Sequence, residues 1–183
     1  MTPKHHIVFL TGAGISQESG ISSFRDTNGL WNNHKLEEVA SPEGFEKNPQ
    51  LVLDFYNARR RQLDEVNPNE AHHLIAQLET KYNVTIITQN IDDLHERAGS
   101  TNVLHLHGEL RKCRSSKNPN LIYTCTQDIK LGDLASDGNQ LRPHIVWFGE
   151  AVTEIEKAIA ITQSADLFII VGTSMVVHPA ASL

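Results

Sequence analysis

Five runs of apolar residues punctuate this chain, at positions 7–11, 84–88, 103–106, 144–147 and 167–171. Several are near-continuous rather than alternating, the pattern of parallel strands covered on both faces. Between some of them the apolar period lengthens to that of a helix. One helix is predicted to begin at Asn48-Pro49, a cap followed by proline at the first helical position, and to turn Leu51, Val52, Phe55 and Leu63 inward. A second follows Pro68-Asn69, and a third covers residues 152–164. Strands alternating with helices predict the α/β class, a doubly wound parallel sheet of Rossmann type. Two polar, irregular segments, 18–48 and 111–142, interrupt the alternation. They are expected as insertions that form a small accessory lobe within a single domain spanning 1–183.

The polar residues that follow each run carry the chemistry. After residue 11 comes "GAGIS", after 88 "QNID", after 106 "HGE", after 147 "FGE" and after 171 "GTS". In an open parallel sheet, ligands bind just beyond the carboxyl ends of the strands. Five polar motifs expected on one sheet edge therefore point to a shared crevice, faced by Gln89, Asn90, Ile91 and Asp92. Gly12-Ala13-Gly14 allows backbone amides to approach a phosphate near a helix start. A plain turn explains these glycines alone; with Gly172-Thr173-Ser174 and Gln89-Asn90 beside them, nucleotide binding is favoured. The usual dinucleotide fingerprint is absent, because Gln17 stands where its third glycine belongs, which disfavours a hydride-transferring dehydrogenase.

Composition narrows the partners. The 183 residues carry a net charge of −6, which argues against nucleic acid as the main partner. No run of about 18 apolar residues is present, so no membrane span and no membrane partner are expected. The amino terminus has no signal-peptide form, and the two cysteines, Cys113 and Cys125, make no disulfide framework. The reading is a soluble, cytoplasmic protein.

These motifs, in this order, resemble the sirtuin family of NAD-dependent protein deacylases: "GAGISQESGISSFRDTNGLW" (12–31), "TQNIDDLHERAG" (88–99), "LHGEL" (106–110), "VWFGE" (146–150) and "VGTS" (171–174). The likeness is greatest to bacterial members related to the lysine desuccinylase branch. It implies that NAD lies with its pyrophosphate on Ala13 and Gly14, beside Gly12 and the Gly172-Thr173-Ser174 loop. Arg25 orients diphosphate and ribose, and Phe24 shields the sugar carbon once nicotinamide leaves. Asn90 and Asp92 line the nicotinamide pocket, with Gln89 and Ile91 in the same loop. His107 is the general base, a role suited to an imidazole that ordinarily titrates at about 6.5. The other histidines are expected to be structural or exposed, His72 and His73 among them. Val146, Phe148, Gly149 and Glu150 would bind the acyl-lysine protein or peptide by strand addition. From composition alone, Trp147 and Phe148 serve equally well as core aromatics.

Tyr56 and Arg59 stand three apart on a predicted helix and so share a face. A phenol and a guanidinium can hold a carboxylate, although Arg60 and Arg61 leave a solvated basic face equally open. The Tyr-x-x-Arg pair, with the small Ala40, matches sirtuins that remove succinyl or malonyl groups. Most sirtuins also hold a structural zinc on two Cys-x-x-Cys pairs, whereas Cys113 and Cys125 are single here, so zinc is expected to be absent. Family members continue past the "GTS" loop, whereas this chain stops soon after it, so a sheet edge is expected to be exposed and adenosine contacts fewer. The activity implied is removal of acetyl and succinyl or malonyl groups, yielding nicotinamide and 2′-O-acyl-ADP-ribose. The alternatives are a truncated, non-catalytic binder of acyl-peptide or partner, and an ADP-ribosyltransferase.

Overall fold

The computed structural model describes residues 4–21, 30–31 and 34–183. In chain order it contains β1 (His6–Thr11), a 3-10 helix (Ala13–Ser19), β2 (Leu30–Trp31), β3 (His34–Lys35), α1 (Leu36–Val39), α2 (Pro42–Lys47) and α3 (Pro49–Glu65). There follow α4 (Glu70–Leu78), β4 (Asn83–Thr88), α5 (Leu94–Arg97), β5 (Val103–His105), β6 (Gly108–Ser115), β7 (Ile122–Thr124) and β8 (Leu141–Ile145). Then come α6 (Ile155–Gln163), β9 (Leu167–Val171) and a last 3-10 turn (Ala180–Ser182). Contacts divide the chain into two compact units. One comprises Met1–Ser23, Val66–His107 and Val152–Leu183; the other comprises Phe24–Glu65 and Gly108–Ala151.

The first unit is a parallel sheet in the order β5-β4-β1-β9. Alternate residues of its strands face opposite layers. Val8, Leu10, Ile87, Leu104 and Leu106 meet Ala158 of α6, whereas Ile7, Phe9, Val84 and Ile86 meet Ile75 of α4. Helices on both faces make the sheet doubly wound, as the apolar runs predicted. Burying an aliphatic side chain of this size contributes about 2 kcal/mol, so these two layers hold the sheet. Asn69 starts α4 by accepting from the Ala71 amide (3.0 Å), and its own amide ties the helix to Ile15 O (2.7 Å). The chain moves outward from β1 to β4 and β5, then returns to β9 on the other side of β1. The strand order therefore reverses at β1, the position at which open sheets bind ligands. β9 is an edge strand with Leu167 and Ile170 exposed.

Residues 144–147, expected as a fifth parallel strand, do not join that sheet. β8 pairs antiparallel with β6 in a three-stranded sheet, β7-β6-β8, in the second unit. Four strands, not five, therefore deliver motifs to the parallel edge. The second unit also takes in the whole of α3, beyond the 18–48 segment read as an insertion. Asn48 starts this helix by accepting from the Leu51 amide (3.1 Å). The core of the unit is Leu53, Cys113 and Ile129, with Phe45, Tyr123, Cys125 and Leu141 packed against them. Fully buried Arg60 donates to Leu110 O and Asn57 Oδ1 (2.8 Å each), and Asn57 donates in turn to Ile129 O (2.8 Å). Among the described residues, no helix is long and apolar enough to cross a membrane.

Candidate functional site

Three loops meet at the carboxyl edge of the parallel sheet. The Gly12 amide donates to Val171 O (3.1 Å) and the Gly14 amide to Gly172 O (2.8 Å), so the turn after β1 lies directly on the turn after β9. Side chains are excluded from this crossing. A Cβ on Gly12 would stand 2.7 Å from the Thr173 Cβ, and one on Gly172, whose φ is +65°, would stand 2.3 Å from the Ile15 amide nitrogen. The glycines thus serve first to seat one loop on the other. The amides of Gly12 and Gly14 are both engaged in this crossing, on either side of Ala13. Gln89, at the end of β4, joins the crossing by donating to Thr173 Oγ1 (2.9 Å).

Beside this crossing lies a buried polar network. Asn90 Nδ2 donates to Gly12 O (3.2 Å) and to Ser16 Oγ (3.1 Å), and the Ser16 hydroxyl donates to Asp92 Oδ2 (3.0 Å). The other carboxylate oxygen of Asp92 accepts from the Leu94 amide (3.2 Å). Both amide hydrogens of Asn90 are therefore spent, and its Oδ1 remains as an acceptor. Burial pushes the Asp92 carboxyl above its ordinary value, against the lowering effect of the Leu94 and Ser16 hydrogen bonds. Ser16, which joins Asn90 to Asp92, is a candidate that the sequence reading passed over. Its signal was a hydroxyl inside the glycine turn, near an amide and a carboxylate.

His107 follows β5. Leu104 and Leu106 face the core, which turns residues 105 and 107 to the other side. His107 Nδ1 lies 3.0 Å from Gln89 O, so it carries the proton and donates, leaving Nε2 as a base with no partner among the described residues. Burial lowers the imidazole's pKa, and the Gln89 bond opposes that shift. His72 is fully buried and His73 exposed. Ile91 is half-buried in the loop, and Ser174 is exposed beyond Thr173. Phe24 and Arg25 lie outside the described residues.

The second unit places the remaining candidates. Tyr56 is fully buried on α3, and its hydroxyl accepts from Trp147 Nε1–H (3.0 Å). Burial drives the phenol's pKa upward, so it stays neutral. The run of three arginines divides by environment. Arg60 is structural, and Arg61 pairs with Asp128 at the surface. Arg59 lies 4.9 Å from the Phe55 ring centre, with Nε and Nη1 shielded from solvent and unpartnered among the described residues. Burial lowers its pKa, with no anion among the described residues to restore it. Ala40 is buried, and its carbonyl accepts from the Phe148 amide (2.9 Å).

Residues 146–150 form a tight turn that Gly149 permits at φ +88°. Val146 is half-buried and Phe148 is 49% exposed. The Glu150 carboxylate accepts from Arg142, Arg114 and the Trp147 amide, and the Arg142 guanidinium lies 3.2 Å from the Trp147 ring centre. Its oxygens are thus committed to holding the loop. Trp147 is buried, as a core aromatic would be. Cys113 and Cys125 are free thiols, and among the described residues no cluster of three or more His, Cys, Asp or Glu is arranged to hold a metal.

Comparison with known proteins places these features. A sequence model of the Sir2 family matches residues 12–179. An NAD-dependent protein deacylase of Helicobacter pylori is 63% identical over 178 residues, covering 97% of this chain and 78% of the relative. A crystallised Sir2 homologue in complex with NAD superposes with a TM-score of 0.87 at 44% identity, covering 98% of this chain and 72% of that one. A Sir2 mutant with p53 peptide and NAD superposes with a TM-score of 0.79 at 35% identity, covering 98% and 75%.

Proposed function

The chain belongs to the Sir2 family, and we infer from this that it is an NAD-dependent deacylase of protein or peptide lysines. The observation that carries the reading is the edge where the Gly12–Gly14 and Gly172 loops interlock beside Asn90, Ser16 and Asp92. The donor set suits a nucleotide carrying a carboxamide. Asp92 would accept from an amide N–H and Asn90 Oδ1 from a hydroxyl, and the diphosphate would lie against the glycine crossing at Ala13. NAD, when bound, supplies the ribose carbon that takes the acyl oxygen as nicotinamide departs.

In this reading His107 removes a ribose hydroxyl proton at Nε2, while Nδ1–H on Gln89 O fixes ring and tautomer. Its lowered pKa keeps it neutral, and so competent, to pH values below those of a free imidazole. Asn90 and Asp92 hold the nicotinamide end, with Gln89 and Ile91 shaping the loop. Gly12, Ala13, Gly14, Gly172, Thr173 and Ser174 hold the rest of the nucleotide. Phe24 and Arg25 keep the roles that the family likeness gives them. In the second unit, Val146, Phe148 and Gly149 meet the substrate peptide, and Glu150 supports them by anchoring the turn.

The acyl group is a dicarboxylic one, succinyl or malonyl, with acetyl also accepted. Arg59 carries this assignment: a half-buried guanidinium with two unpartnered nitrogens is costly until an anion reaches it. Tyr56 walls the same helix face, and Ala40 leaves room. We further propose that the second unit folds without zinc, since Cys113 and Cys125 belong to its own core, and that the protein works in the cytoplasm. The test is mass spectrometry of succinyl- and acetyl-lysine peptides with and without NAD. NAD-dependent loss of the acyl group with 2′-O-acyl-ADP-ribose formed is expected. ADP-ribose attached to protein would favour a transferase, and no turnover would favour a non-catalytic binder.

A further inference from the structure

His105 stands two residues before His107, on the same side of its strand, and makes a parallel bond. Its Nδ1 lies 2.9 Å from Asn90 O, as His107 Nδ1 lies 3.0 Å from Gln89 O. Two histidines thus hold two consecutive carbonyls of one loop. They differ at the other ring nitrogen. Nε2 of His107 has no partner among the described residues, whereas Nε2 of His105 lies 2.8 Å from Glu96 Oε1 on α5. A neutral imidazole has one N–H, so a ring with an acceptor at each nitrogen donates twice and is a cation. Glu96 fits as its anion. Burial raises that carboxyl, but the His105 bond and charge lower it more, and it ends below its ordinary value. Asp92, which is buried, and His95, a neutral imidazole pushed down to about 3 by burial, also interact with His105.

We propose that His105, held as an imidazolium by Glu96, is a positioning residue that fixes Asn90 for the reaction. The proposal rests on the reading that Asn90 serves the NAD site. Asn90 is held at its backbone amide and its side-chain amide as well. Its amide donates to Thr88 Oγ1 (3.0 Å), which is bonded to Thr11 Oγ1 (2.9 Å), and its side chain is held by Gly12 and Ser16. The charged donor on its carbonyl locks the peptide plane that follows, and so the orientation of the Ile91-Asp92 segment. One strand end thereby yields two histidines with different duties, set by what each second nitrogen meets.

The experiment uses the full chain with His105→Leu, His105→Gln and Glu96→Gln. Long-range proton–nitrogen NMR of the ring at pH 7, assigned by its loss in His105→Gln, is expected to show both nitrogens protonated. Hydrogen exchange of the Asn90 side-chain amide, measured without NAD, is expected to quicken at least about tenfold in His105→Leu, the effect of losing one charge-assisted bond, while β1 amides are unchanged. In kinetics, His105→Leu is expected to lower kcat about tenfold or more with the peptide KM within about twofold. His105→Gln, which can still donate to the carbonyl, recovers part of the loss. In Glu96→Gln, an exposed substitution that leaves the core intact, activity falls off at lower pH on the basic side than in the parent chain. A parent ring with one unprotonated nitrogen, or His105→Leu with unchanged Asn90 exchange, overturns the proposal. A parent chain that turns over no substrate, but shows the charged ring and the quickened exchange, keeps the clamp and overturns the functional reading instead.

Discussion

Asn90 and Arg59 are both polar residues placed among buried neighbours, and they are treated in opposite ways. In the first unit Asn90 has its backbone N–H, its carbonyl and both amide hydrogens engaged, by Thr88, His105, Gly12 and Ser16. In the second, Arg59 keeps two shielded nitrogens without a partner among the described residues, although Arg60 beside it is tied into the core and Arg61 is paired at the surface. A closed network is already oriented and reorganises little, which suits chemistry shared by every substrate. An open guanidinium gains most when a particular anion arrives, which suits selection among substrates. The rate is thus expected to reside in the first region and the acyl preference in the second.

The largest test of that division is His107→Ala. It should lower kcat about 10²- to 10⁴-fold on succinyl and acetyl peptides alike, as loss of a general base does. The parent enzyme's acid limb should also fall below the ordinary imidazole value of about 6.5, because burial lowers the His107 pKa. Both are read from steady-state pH profiles. A smaller loss is expected for Ser16→Ala, which strips Asn90 and Asp92 of one buried partner each. Kcat should fall by about tenfold or more for both peptides, since an unsatisfied buried group costs about 1–3 kcal/mol. If Ser16→Ala altered the ratio of the two activities instead, the division between regions would fail.

The smallest effect expected on activity comes from a change that acts on stability. His72 and His95 are held neutral by burial, with pKa values pushed down to about 4 and about 3, and their rings meet edge to face at 4.9 Å. In the unfolded chain both would titrate at about 6.5. Below that pH the unfolded state binds more protons, so stability is expected to fall from about pH 6.5 toward 4 and 3, by up to about 1.4 kcal/mol per pH unit for each ring. Urea denaturation at pH 7 and pH 5 checks this. Replacing His72 with Gln should flatten the slope without altering the acyl ratio.

The same contrast explains what could be read from the sequence. The parallel sheet was legible because its central strands, β1 and β4, are covered on both faces and all its strands read as apolar runs, each ending in glycine, amide or histidine. β6 was not. Its alternation is broken by a register shift between Glu109 and Cys113, and Arg111, Lys112 and Arg114 made it look like loop. Without β6, the apolar run at 144–147 had no antiparallel partner and was assigned to the parallel sheet. Asn90, Asp92 and His107 were legible as polar residues at strand ends. Ser16 and His105 were not, because their work depends on neighbours brought from 76 and 9 residues away, Asp92 and Glu96. Arg59 was legible as one of three arginines; only packing tells the three apart.

The most direct test of the central claim is the ratio of kcat/KM for matched succinyl- and acetyl-lysine peptides, measured with NAD for the parent chain and for Arg59→Met. The account predicts that desuccinylation falls about 10- to 100-fold, the loss of a charge-assisted hydrogen bond, while deacetylation stays within about threefold. Equal losses on both peptides, or a parent chain that turns over acetyl-lysine and leaves succinyl-lysine untouched, would contradict it.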